Sequence, residues 1–252
     1  MSEDIPKSAS IRAHFYPESA VSGFSHVDMA IGFYSQIAAI LRPEHHVLDF
    51  GAGRGEPITD DPVPFRRNLV NLQGRCAHLT GCDVDPVVMT NPYLDAAVVI
   101  VPDEKLPFPD ASFDIIVSRY VFEHLPDPAG SVAEMLRVLK PGGWICATTP
   151  NRFGYVALAA SLIPNRLHVA YLKKIQPERK AEDVFPTVYG LNSLRALRRH
   201  FGPHGELHVF RHSSEPAYHF NSRFLFGALK LFHKILPDVF QTALFIYFRK
   251  TS

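Results

Sequence analysis

The sequence predicts an α/β fold, a doubly wound and mostly parallel seven-stranded sheet with an antiparallel closing strand. Three observations carry that prediction. Short apolar runs alternate with helix-spaced segments along most of the chain, the pattern of repeated strand–helix–strand units. The run Val47-Leu48-Asp49-Phe50 opens onto Gly51, Gly53 and Gly55, and such a run before glycines reads as a buried parallel strand ending in a ligand loop. With 252 residues and 46% hydrophobic content, there is material for one sizeable core. Residues 1–252 are therefore read as one domain, without internal repeat or low-complexity linker.

The elements follow in order. Residues 1–25 are polar and irregular, with Phe15, Tyr16 and Phe24 among Gly, Pro and Ser; they read as a packed tail or as a lid over the loop. From His26 to Leu41, Val27, Ala30, Ile31, Tyr34, Ile37 and Leu41 keep helical spacing. Pro57, Pro62 and Pro64 with Asp60 and Asp61 leave no clean helix start in that stretch. A helix is expected from Phe65 to Leu72, stopped by Gly74. The second strand is His78 to Asp83, so two strand-end carboxylates, Asp49 and Asp83, lie 34 positions apart. A compact nucleotide-binding unit needs roughly 20, which implies an insertion in the first crossover.

Ala97 to Val101 is a third short strand and Phe113 to Ser118 a fourth. Val132 to Leu139 makes a helix, Pro141-Gly142-Gly143 a turn, and Trp144 to Thr149 a fifth strand. A helix from Leu191 to His200 precedes an antiparallel pair, Leu207 to Arg211 and Ala243 to Phe248. The intervening segments 150–190 and 213–241 exceed ordinary connections and are read as substrate-binding insertions. Phe224 to Leu236 is strongly apolar, with Lys230, His233 and Lys234 on one side; burial is the first reading, and a dimer or membrane-surface contact the second.

In such a sheet the ligand lies at the carboxyl ends of the strands, where Asp49, Asp83 and Ser118 all fall. The loop has G-x-G-x-G spacing followed by Glu56, not the G-x-G-x-x-G that seats a pyrophosphate. A carboxylate at that point repels a pyrophosphate, whereas Asp49 suits a ligand carrying an ammonium group, which points to S-adenosylmethionine. Asp83 is placed to accept ribose hydroxyls, with Asp85 as its rival; Pro86 makes Asp85 a plausible helix cap instead.

The stretch Asp49 to Gly55 resembles the D-x-G-x-G-x-G motif of class I methyltransferases. The block from Leu106 to Gly143, with Glu123-His124-Leu125-Pro126-Asp127 and Leu139-Lys140-Pro141-Gly142-Gly143, resembles the ubiquinone and menaquinone biosynthesis type. That resemblance implies a cofactor site of Asp49, Gly51, Ala52, Gly53, Gly55, Asp83, Val84, Asp103, Glu104, Ser118 and Arg119. Asp103 and Glu104 would receive the adenine amino group, although the family places its acid one position earlier, at what is here Pro102. Methyl transfer from a sulfonium is an in-line displacement that asks mainly for alignment and exclusion of water. Where the acceptor must lose a proton, His124 is the candidate base; the bland alternative is a backbone or cofactor-orienting histidine.

The acceptor is read as a small molecule, an oxygen of a sugar, a lipid-linked intermediate or another anionic metabolite. Nine Lys/Arg against three acids between Asn151 and His200, Lys173 and Lys174 among them, support an anionic one. A nicotinamide-dependent oxidoreductase, disfavoured by Glu56, and a non-catalytic S-adenosylmethionine-binding module are the rival readings. The net charge of +1 gives no overall field for nucleic acid. His200, His204, His208 and His212 recur every four residues, but Gly202, Pro203 and Gly205 break any helix across them, so no metal is expected. Cys76, Cys82 and Cys146 are read as reduced thiols. Without a signal-like or spanning apolar run, the chain is expected in the cytoplasm as a monomer or homodimer.

Overall fold

The computed structural model describes residues 7–155, 157–158, 187–216 and 219–251. Seven strands form one sheet: β1 His46–Phe50, β2 His78–Asp83, β3 Ala96–Val99, β4 Phe113–Arg119, β5 Leu139–Pro150, β6 Gly205–His212 and β7 Ala243–Lys250. Their order is β3-β2-β1-β4-β5-β7-β6. The pairings from β3 through β5 are parallel, and β7 runs antiparallel to both β5 and β6. The order reverses between β1 and β4, so a crevice opens there at the carboxyl ends of the strands.

Both faces of the sheet are covered, which is why the central strands are apolar at successive positions. Leu48, Ile116, Ile145 and Ile246 face one layer, where α6 (Pro128–Val138) and α7 (Leu194–Phe201) contribute Met135, Leu136, Leu197 and Phe201. Val47, Ile115, Cys146 and Phe245 face the other, against Phe33 and Ile37 of α3 (Met29–Ile40) and Val70 of α5 (Pro64–Val70). Side-chain caps start three of these helices. Asp28 accepts from the Ile31 amide, Asp127 from that of Ala129 and Ser193 from that of Ala196, each satisfying a first-turn donor.

Several expectations change. The N-terminal stretch is not irregular from residue 7 onward: α1 (Lys7–Phe15) and α2 (Ser19–Ser22) form there. They gain their stability from tertiary packing of Ile11 and Tyr16 on Phe226, which local sequence does not reveal. A short helix, α4 (Glu56–Thr59), does start among the prolines, because Pro57 sits in its first turn, where a missing N–H costs nothing. Pro141-Gly142-Gly143 is not a turn between elements but a bulge within β5. Phe113 pairs with Leu139 and Ile115 with Trp144, and Gly142 takes the left-handed conformation the bulge requires (φ 79°).

The apolar segment 224–236 becomes α8 (Arg223–Ile235), capped by Ser222. Burial of that segment, the first reading, does not hold: Phe226 is its one buried residue, and Phe224, Leu231 and Ile235 face outward. Most of the basic segment, including Lys173 and Lys174, lies outside the described residues. All three cysteines are free thiols. Among the described residues no helix is long and apolar enough to cross a membrane.

Candidate functional site

The loop after β1 is shaped by its neighbours. Gly51 and Ala52 amides donate to the Cys82 carbonyl at 2.8 and 3.1 Å, which fastens the loop to the end of β2. Gly51, Gly53 and Gly55 all have positive φ, 83°, 51° and 82°, a region closed to most side chains. A Cβ on Gly51 would meet Val121 Cγ2 at 2.1 Å, whereas one on Gly53 would meet nothing within 4 Å. The first glycine is therefore required by packing; the second borders open space. Asn91, not singled out in the sequence, steadies the far side by donating to the Gly53 carbonyl at 3.1 Å.

Around the loop is a cavity of about 1740 Å³ lined by residues of the carboxyl ends of the strands. Gly51, Ala52, Gly53, Gly55, Asp83, Val84, Asp103, Glu104, Arg119 and His124 all border it. Asp83 aims one carboxylate oxygen at the Gly53 amide (2.9 Å) and the other at the Asp85 amide (2.9 Å), and both oxygens keep further acceptor capacity. Its rival Asp85 caps the 3₁₀ turn Pro86–Thr90 through the Val87 amide. Asp103 and Glu104 are exposed on the rim, with Asp103 left-handed at φ 61°.

Two of the expected residues stand behind the cavity wall. Ser118 is fully buried and donates its hydroxyl to the Phe50 carbonyl at 3.0 Å, joining β4 to β1. Asp49 lies in β1 just before the wall residues Phe50 and Gly51. Burial pushes its carboxyl up to about 7; the negative charge of Asp83 adds to the shift and Arg119 opposes it. A cation near this carboxylate would favour its ionised form.

The opposite wall carries groups that sequence reasoning missed. Tyr120 is left-handed at φ 58°, partly exposed, and packs under the Arg119 guanidinium. A bulky residue in that conformation marks a constrained position. Glu123 is buried beside His124, with Glu123 Oε1 4.0 Å from His124 Nε2. Thr149 donates to Glu123 Oε2 at 2.9 Å, and Asn192 donates to Thr149 Oγ1 at 2.6 Å. From the two inserted segments, Tyr155 and His233 also line the cavity and hydrogen-bond at 2.5 Å. Burial lowers the pKa of His233.

Other sequence candidates are not brought together. His212 donates from Nε2 to the Val27 carbonyl at 3.0 Å, and the His208 ring lies by Trp144. Among the described residues no cluster could hold a metal ion. Glu56 opens α4 directly beyond the glycines and pairs with Arg54 at 2.5 Å.

Residues 48–147 match the methyltransferase domain family. The chain is 37% identical over 79 residues to the ubiquinone biosynthesis O-methyltransferase of Paracidovorax citrulli, covering 28% of this chain and 33% of that protein. It is 32% identical over 112 residues to the sterol 24-C-methyltransferase ERG6B of Gibberella zeae, covering 41% and 27%. It is 34% identical over 110 residues to the uncharacterized methyltransferase YcgJ of Bacillus subtilis, covering 40% and 39%. The crystal structure of YcgJ superposes with a TM-score of 0.51 at 18% identity, over 88% of this chain and 98% of that one, a likeness of fold. The chain thus matches well under two thirds of the length of these curated relatives.

Proposed function

We propose that the methyltransferase domain carried by residues 48–147 holds S-adenosylmethionine and that the protein transfers its methyl group to a small-molecule acceptor. The observation that carries this reading is the glycine loop. Three left-handed glycines sit at the topological switch point, and the Cβ direction of Gly53 is open, so a ligand can approach the backbone where a side chain would stand. When bound, that cofactor supplies an electrophilic methyl carbon on a sulfonium.

The residues fit such a group chemically. Asp83 would offer acceptor lone pairs to ribose hydroxyls, Asp103 and Glu104 would offer acceptors to the adenine amine, and Asp49, behind the wall, would supply negative charge toward the cationic end. Val84 would border the base, and Arg119 offsets the negative charge at Asp49. Ser118 acts through the backbone by fixing Phe50. The cavity exceeds the roughly 300–1,000 Å³ of a single ligand pocket, which leaves room for an acceptor beside the cofactor. His124 would take the proton from an acceptor hydroxyl, with the Glu123 carboxyl 4.0 Å from its Nε2.

An oxygen acceptor on a sugar, a lipid-linked intermediate or another anionic metabolite is the finer reading, supported by Arg119 and His124 at the cavity. The matched relatives include both an O- and a C-methyltransferase by name, so product identification decides the acceptor atom. Calorimetric titration of the purified protein with S-adenosylmethionine and with NAD tests the cofactor: binding of the first and not the second is expected. Appearance of S-adenosylhomocysteine on adding a metabolite extract tests catalysis. In H124Q, that turnover should fall about 100-fold with cofactor affinity unchanged; full activity would remove His124 from the proton path.

A further inference from the structure

The surface of α8 carries several large apolar side chains open to solvent. Phe224 is 87% exposed, Ile235 70% and Leu231 60%. At about 100° per residue these three, with Ala228 between them, fall on one stripe of the helix. Phe220, Val239 and Phe240, at the two ends of α8, are exposed as well. A contiguous apolar surface of this kind marks an interaction site.

The charges around the stripe identify its partner. Residues 216–237 contain Arg223, Lys230 and Lys234 and no Asp or Glu. Arg223 and Lys234 are exposed along one edge of the stripe. Lys230 is turned inward: its Nζ donates to the Phe15 carbonyl and lies 4.1 Å from the Tyr16 ring centroid. The nearest acids in sequence, Glu215 and Asp238, fall outside the helix on either side. An apolar stripe edged by cations complements an anionic lipid surface. A second copy of the same face would instead set Arg223 and Lys234 against one another.

We propose that α8 lies in the headgroup region of an anionic membrane with Phe224, Leu231 and Ile235 inserted and with Arg223 and Lys234 against the lipid phosphates. The helix of 13 residues is only about 20 Å long, so it lies along the surface and does not span. His233 is nine positions beyond Phe224, half a turn around the helix, and lines the cavity. Docking therefore brings the cavity to within one helix diameter of the bilayer.

The test uses the full chain, without cofactor, sedimented with vesicles of phosphatidylcholine alone or mixed with phosphatidylglycerol. Binding to the mixed vesicles that weakens with added salt is expected; a protein that stays in the supernatant overturns the proposal. In F224S/I235S, vesicle affinity should drop more than about tenfold, and in R223Q/K234Q about fivefold per charge removed. Wild-type affinity in both variants would overturn the proposal. So would a concentration-dependent dimer, seen by sedimentation velocity, that F224S/I235S dissolves while no vesicle binding occurs. Should F224S/I235S fail to fold, F224W gives an independent reading beside the single native Trp144. Its emission should shift to the blue on mixed vesicles, and an unchanged spectrum overturns the proposal. Because no cofactor enters these measurements, their failure leaves the methyl-transfer reading untouched.

Discussion

In the proposed site, Asp49 would couple the fold to its ligand. Its carboxyl sits up at about 7 because it is buried and faces Asp83, while in the unfolded chain it ionises near the ordinary 3.8. The native state therefore binds the extra proton between those values. The sign follows: the stabilisation this proton gives is complete at low pH and is lost as pH rises from about 4 to about 7. A cationic ligand selects the ionised form, so affinity for S-adenosylmethionine should increase with pH and level off above about 7. Calorimetric titrations from about pH 5.5 to about pH 8 should show a weakening of up to about tenfold per pH unit on the acid side. D49N should abolish that dependence, weaken binding, and raise Tm at about pH 8 by on the order of 5 °C. An equal pH dependence in D49N would assign it to another group. Glu123 makes a different prediction. In E123A, the Thr149 hydroxyl loses its buried acceptor, which should cost about 1–3 kcal/mol in urea denaturation, and E123Q should recover most of that loss.

At the scale of elements, α1 is tied to the body by α8. The Phe226 ring stacks on Phe15 at 4.9 Å and meets Tyr16 edge-on at 6.1 Å, and Lys230 closes the contact from the side. F226A should therefore cost about 3–4 kcal/mol and release α1 first. Hydrogen exchange should rise across residues 9–15 while β1 and β4 keep their protection; α1 amides that stay protected would contradict this. The same pair of helices shows why part of the fold is illegible in sequence. β2 can be read from His78 to Asp83, because Leu79 and Cys82 are apolar, Thr80 is β-branched and the carboxylate of Asp83 marks the strand end. α1 and α8 cannot be read so, since their apolar residues answer to each other or face outward, and neither choice is written locally. Pro57 and Pro141 misled for a related reason: proline disfavours a helix interior, yet a first turn and a bulge both accept it.

At the scale of the whole molecule, the glycine loop, the strand ends and the inserted segments surround one crevice. The glycine spacing, Asp83 and Arg119 are legible because their backbone and charge requirements are local. The strained Tyr120, the brace from Asn91 and the Glu123–Thr149–Asn192 chain arise only when β4, β5 and the segment before α7 meet. The two insertions likewise converge: Asn151 donates to the Val239 and Gln241 carbonyls at 2.9 and 2.7 Å, and Tyr155 reaches His233. A ligand seated in this crevice bridges the β1 loop, the end of β2 and the β4 connection, none of which keeps that geometry in the unfolded chain. Binding must therefore stabilise the whole fold by linkage. At about 100 times its Kd, S-adenosylmethionine should add about 2.7 kcal/mol, seen as a Tm increase of roughly 5 to 10 °C. NAD at the same concentration should leave Tm unchanged, since Glu56 lines the cavity directly beyond the glycines, where a carboxylate opposes a pyrophosphate. A rise with NAD and none with S-adenosylmethionine would reverse the assignment of the loop, and G53A should remove the S-adenosylmethionine response, because its Cβ projects into the space the ligand needs.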